Sequence, residues 1–193
     1  MEEIYCISRF GLFSIPSNLN EDSSEGRLIE VSDEERQILK NICLKFINRP
    51  INIMEIGVYR NGNNSFTKVL IDNKHPNSKY FGVDLEDKSF LNADNIYTFK
   101  NTSFEFDKVV VELNKVGIFF LDILFIDGDH SMKATLSDWS YSVLMNKGGH
   151  VLIHDVHTHS GPKKLMEIID RNLFDVKFLT DDKVYGLGLA IRK

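Results

Sequence analysis

Apolar residues fall into short, evenly spaced runs along this chain. "INIMEIG" (51–57), "KYFGVDL" (79–85), "NIYTFKN" (95–101), "LDILFID" (121–127) and "HVLIHDV" (150–156) have the length and β-branched content of strands. Between them the spacing changes to that of helices. Ile38, Leu39, Ile42, Phe46 and Ile47 share one face of a helix that opens on the capping box Ser32–Glu35 and ends before Pro50. Helices are also predicted over 64–72, 104–116, 133–147 and 162–173. The one over 133–147 places Leu136, Trp139, Val143 and Leu144 on one face and stops at Gly148 and Gly149. The closing "DVKFLTDDKVYGLGLAIRK" reads as two strands around a polar turn.

Strands alternating with helices predict an α/β fold, a doubly wound and mostly parallel sheet with helices on both faces. The terminal hairpin adds antiparallel strands. Residues 1–31 are the least regular, and "PSNLNEDSSEG" (16–26) reads as a loop. The chain thus divides into a loop-rich extension (1–31) and one folded domain (32–193).

Composition narrows the partners. With 42% hydrophobic residues, 193 residues suffice for a sizeable core. A net charge of -5 gives no general attraction to nucleic acid or anionic membrane. There is no run of about 20 apolar residues, the length a membrane span needs, and "MEEIYCISRF" does not read as a secretory leader. The two cysteines, Cys6 and Cys43, do not form a CxxC pair, and a reducing, cytoplasmic setting is expected. Oligomeric state is not encoded legibly, and a homo-oligomer stays open.

Ionisable residues concentrate at strand ends, where open α/β sheets bind ligands. The first strand leads into Gly57 and Gly62, a turn that could let a ligand approach the backbone ahead of a helix. It is neither GxGxxG nor a phosphate-binding P-loop, which argues against a nicotinamide-linked oxidoreductase. The second strand ends in Asp84, placed to accept both hydroxyls of a ribose. "LFIDGDH" supplies Asp127, Asp129 and His130, and "LIHD" supplies His154 and Asp155. If these two strands are neighbours, carboxylates and imidazole meet at one point, a set suited to a divalent cation or to general-base chemistry. His157 and His159 read as loop surface.

The order "EIGVYRNG", "FGVDLE", "LFIDGDHSMKATLSDW", "GGHVLIHDV" resembles the class I S-adenosylmethionine-dependent methyltransferases. It is most similar to the small-molecule O-methyltransferases with a DGDH motif, such as those acting on macrolide and aminocoumarin sugars and the cephalosporin-hydroxylase-like proteins. The resemblance implies a seven-stranded Rossmann-like sheet. It implies S-adenosyl-L-methionine held by Glu55, Gly57 and Gly62 at its methionine part, by Asp84 at the ribose and by Ser103 toward the adenine. Asp127 borders the cofactor and, with His154 and Asp155, occupies positions that hold magnesium or another divalent cation in metal-dependent members. Asp129, or His130 in its place, is the implied general base, and the acceptor is a hydroxyl of a sugar or other small polyhydroxylated metabolite. Two positions depart from the pattern: Asn61 stands where many relatives have a second glycine, and His154 where they have an acid. The competing readings are a non-catalytic binding module on the same fold and a metal-dependent hydrolase.

Overall fold

A computed structural model describes residues 4–8, 11–15, 31–59, 62–181 and 185–193. The predicted loop 16–26 and Asn61 lie outside them.

Five parallel strands form most of the sheet: β3 (Asn52–Ile56), β4 (Lys79–Asp84), β5 (Ile96–Lys100), β6 (Leu121–Ile126) and β7 (Met145–His154). Two antiparallel strands complete it, β8 (Phe174–Phe178) and β9 (Leu187–Arg192). The seven-stranded order is β5-β4-β3-β6-β7-β9-β8. Chain order reverses at β3, so the crevice beyond the ends of β3 and β6 is the switch point at which such sheets bind ligands. Near the chain start, β1 (Ile4–Ser8) and β2 (Gly11–Ile15) pair antiparallel as a separate two-stranded sheet. This hairpin lies within the loop-rich extension expected over 1–31.

Alternating side chains sort the core into two layers. Ile53, Ile123, Phe125, Leu152 and Leu189 face Leu39 and Ile42 of α1 (Asp33–Lys45) and Phe66 and Leu70 of α2 (Phe66–Asp72). Met54, Ile56, Leu124, Ile126, Val151 and Ile153 face the other way. They meet Val109 and Leu113 of α3 (Phe106–Lys115), Leu136 and Trp139 of α4 (Met132–Trp139), and Leu165 and Met166 of α5 (Ser160–Ile168). Every residue of β6 is buried, as expected of a central parallel strand. That includes Asp122, whose charge is met by Arg49 at 3.0 Å, the Asn52 N–H at 3.0 Å and the Asn146 amide at 3.3 Å.

The predicted helix over 133–147 is shorter than its spacing suggests. It passes at Ser140 into a 3-10 turn (Ser140–Leu144), and β7 already begins at Met145. Gly148 and Gly149 therefore lie inside the span of β7, where the pairing with β6 shifts register between Leu121 and Ile123. A side chain on Gly149 would press on the carbonyl oxygens of Asn146 and Asp122, which is the reason for a glycine there. Val143 is largely exposed. Among the described residues, no helix is long and apolar enough to cross a membrane.

Candidate active site

Gly57 leaves β3 with φ +85°, a conformation open to glycine at little cost. It also has no room for a side chain, because a Cβ would collide with the Asp127 carbonyl. The ends of β3 and β6 are thereby brought into contact. Around this point lie three acids, each at the carboxyl end of a different strand.

Glu55 is buried and accepts hydrogen bonds from Thr67 Oγ1 at 2.8 Å and from the Tyr80 hydroxyl. Burial pushes its carboxyl up to about 8; these two hydrogen bonds oppose the rise, and the charges of Asp127 and Asp84 add to it. Thr67 Oγ1 in turn accepts from the Tyr59 N–H at 2.7 Å, fixing the start of the following loop. Asp84 accepts the Val58 N–H at 2.7 Å on one oxygen and the Glu86 N–H at 2.8 Å on the other. Each oxygen keeps a second lone pair for an incoming hydroxyl. Glu55, Gly57, Thr67 and Asp127 line a small cleft at this point.

The parallel register pairs Ile126 with Ile153, so Asp127 and His154 emerge side by side. His154 Nδ1 lies 3.0 Å from Asp127 Oδ1 and 3.1 Å from Asp155 Oδ2. Its Nε2 lies 3.5 Å from Glu35 Oε1. Burial opposes a charged ring there, yet Asp127, Asp155 and Glu35 outweigh it and hold His154 well above the ordinary imidazole range. Asp155 sits at φ +61°, a strained conformation for a non-glycine residue. Its Oδ2 lies 2.8 Å from His130 Nε2. Burial would raise this carboxyl, but His130 and His154 hold it well below the usual range.

The sequence-predicted residues thus divide. Glu55, Gly57, Asp84 and Asp127 gather at the ends of β3, β4 and β6, while Asp127, His130, His154 and Asp155 cluster at β6 and β7. Gly62 lies in the turn before α2, with open space where a side chain would be. Asp129 is exposed and its Oδ1 accepts the Ser131 N–H at 2.7 Å, in the turn that starts α4. Ser103 is half-buried, and its carbonyl accepts the Tyr141 hydroxyl at 2.8 Å. For a cation, Asp127, His154 and Asp155 offer ligand atoms within 4.8 Å of one another, and so do His130, Asp155 and His159.

Three residues have roles that the sequence reading did not give them. Glu35 was legible only as half of a capping box, yet it is fully buried against His154 and also accepts the Gly186 N–H at 2.8 Å. His159, read as loop surface, has a half-buried ring stacked on His130 with centroids 4.1 Å apart. Asp138 is a buried acid on α4 beside Gly128, with no hydrogen bond to either oxygen among the described residues. Burial pushes its carboxyl up to about 7. His157 is also half-buried; it lies 3.0 Å from the Thr180 carbonyl and stacks on Phe178.

No protein-family profile matches the chain. An uncharacterized protein of Acanthamoeba polyphaga mimivirus is 24% identical over 154 residues, covering 72% of this chain and 67% of that one. Among solved structures, an O-methyltransferase from Bacillus cereus in complex with SAH superposes with a TM-score of 0.64 at 16% identity, over 85% of this chain and 83% of that one. The MycE methyltransferase of the mycinamycin biosynthetic pathway, in complex with Mg, SAH and mycinamycin VI, gives 0.62 at 16% identity over 81% of this chain. The present chain spans about half of the MycE chain (48%). The sheet is therefore the seven-stranded Rossmann-like sheet of these methyltransferases, with its C-terminal antiparallel hairpin.

Proposed function

We propose that this protein transfers a methyl group from S-adenosyl-L-methionine to a hydroxyl of a small-molecule acceptor. One observation carries the reading: Glu55 and Asp127 line the cleft at the tight turn of Gly57, and Asp84 stands at the end of the adjacent parallel strand β4. Such a ring of acids suits a ligand with an ammonium, a sulfonium and a vicinal diol. A phosphate-bearing cofactor would meet like charge there.

On this reading Glu55, Gly57 and Gly62 hold the methionine part, Asp84 the ribose and Ser103 the adenine side. Asp127 faces the sulfonium. Of the two candidate bases, His130 is favoured, because Asp155 lies at 2.8 Å and orients its ring. Asp129 is engaged in the turn before α4. A base held beside the acceptor contributes roughly 10²–10⁴-fold, and in-line placement of donor and acceptor adds to it. A divalent cation, where one is bound, lowers the pKa of the acceptor hydroxyl. The resemblance assigns it to Asp127, His154 and Asp155, and the magnesium in the MycE complex supports a metal-assisted route. A sugar or related polyol is the acceptor class suggested by the same resemblance.

The test is calorimetric titration with S-adenosylhomocysteine, with NAD as control. Micromolar binding of the first and none of the second is expected. Absence of S-adenosylhomocysteine binding would overturn the reading.

A further inference from the structure

Asp155 carries imidazoles on two sides. On the inner side is His154, whose three partners are Asp127, Asp155 and Glu35. All of them are buried, and both ring nitrogens already face carboxylates. On the outer side are His130 and His159, with side chains 23% and 16% exposed. We propose that His130, Asp155 and His159 form a site for a borderline divalent cation of the manganese, iron, cobalt or zinc class.

The donor set and its construction carry this inference. Two imidazoles and one carboxylate suit such metals better than magnesium, which takes oxygen ligands and keeps its waters. Ligand atoms about 2.0–2.2 Å from one ion lie roughly 3–3.5 Å from each other. His130 Nε2 is 2.8 Å from Asp155 Oδ2, and His159 Nε2 is 4.0 Å from Asp155 Oδ1, so a slight opening of the first and a closing of the second bring both to ligand spacing. The loop is built to keep it there. The N–H groups of Thr158 and His159 return to the Asp155 carbonyl at 3.3 and 3.1 Å, which folds the fourth residue after Asp155 back over it. Thr158 Oγ1 donates to Asp155 Oδ1 at 3.1 Å, the kind of outer bond that orients a ligating carboxylate. Gly161, at the start of α5, packs so tightly on the His130 carbonyl that a Cβ would collide with it. The two histidine-bearing loops are therefore held together by backbone contact.

The proposal deepens the proposed function and rests on it for its catalytic meaning. Methyl transfer stays; with a cation bound, the acidified acceptor hydroxyl would release its proton to solvent, and His130 would serve as a ligand in place of the base. Metal binding is measured without methyl donor, so the two readings fail separately.

The experiment is titration of the metal-free full chain with cobalt(II), followed by visible absorption and by calorimetry, with magnesium as the contrast. One cobalt per chain is expected, with an absorption band that reports imidazole ligation and with weaker or absent magnesium binding. His159→Ala should weaken cobalt binding at least tenfold, and so should His130→Gln, each checked for folding by circular dichroism. His157→Ala, which alters a nearby loop histidine, should leave it unchanged. Retention of wild-type affinity in both His159→Ala and His130→Gln would overturn the proposal. So would loss of binding in Asp127→Asn alone, which would put the ion on the inner side. Equal weakening by His157→Ala, or no binding of cobalt, zinc or manganese, would also overturn it.

Discussion

Glu35, in the first turn of α1, brings a carboxylate oxygen to within 3.5 Å of His154 Nε2 at the end of β7. The same side chain closes the capping box on Ser32 and accepts the Gly186 N–H. Replacing it with alanine keeps the Ser32 hydroxyl on the helix backbone but removes the carboxylate that the Ser32 N–H meets, and it leaves the buried Gly186 N–H unpaired. Urea denaturation of Glu35→Ala should show a loss of about 1–3 kcal/mol, the cost of that unpaired N–H. Glu35→Gln, which keeps an acceptor for Gly186, should lose less. Equal losses in the two variants would assign the effect to packing alone.

The two glycines between β3 and α2 make opposite demands. At Gly57 a methyl group meets the Asp127 backbone and the φ is positive, so Gly57→Ala has no small adjustment open to it. It should fail to fold or melt far below the wild type. At Gly62 the φ is also positive, +58°, but nothing lies within 4 Å. Gly62→Ala should cost only about 1 kcal/mol. Thermal melts of the pair check this directly.

Glu55 gives stability a pH dependence. Its folded value is about 8 against an ordinary 4.5. The folded protein thus keeps a proton that the unfolded chain releases. The stability this contributes is complete below about pH 4.5 and is lost progressively as the pH rises through about 8. At about 1.4 kcal/mol per unit, the full shift sets an upper limit near 5 kcal/mol. Glu55→Gln, whose amide oxygen can still accept from Thr67 and Tyr80, should match the wild type near pH 5. By pH 8 it should exceed it by about 2–4 kcal/mol. Parallel urea curves at the two pH values are the measurement; a gap that does not widen with pH would refute the assignment.

The same proton should appear in binding. If Glu55 receives the ammonium of the cofactor's methionine part, it ionises as the ligand enters. Titration of S-adenosylhomocysteine at pH 7 should therefore release about one proton, read as an enthalpy that changes with the ionisation enthalpy of the buffer. In Glu55→Gln the buffer dependence should vanish and the affinity fall. That variant would then be more stable at pH 8 and poorer at binding, which is the usual exchange between stability and function.

The sequence carries the sheet plainly, because Ile53 and Met54, or Phe125 and Ile126, alternate between two helical layers and each strand is bounded by turn residues. The neighbouring ends of β6 and β7 were legible for the same reason, and with them Asp127, His154 and Asp155. What local pattern hides is any partnership made by tertiary packing. Nothing near Glu35 in the chain points to His154, and nothing near His159 announces that its loop folds back over Asp155. Leu136 to Leu144 keep helical spacing although the helix ends at Trp139, because the strand that follows starts earlier than its apolar core suggests. The pairing of Ile4–Ser8 with Gly11–Ile15 escaped notice because Arg9–Phe10 is not the glycine–asparagine type of pair that marks a tight hairpin.

The place of β9 between β7 and β8 has a consequence for how the chain acquires its fold. β8 is synthesised first, yet its ladder in the sheet runs through β9, which follows it. Until Leu187–Arg192 has docked against β7, Phe174–Phe178 has no sheet partner among the described strands, and the β7 edge beyond His150 is open to any other chain. Docking of Leu187–Arg192 is therefore a single step that both anchors β8 and shields the edge of β7 from neighbouring molecules.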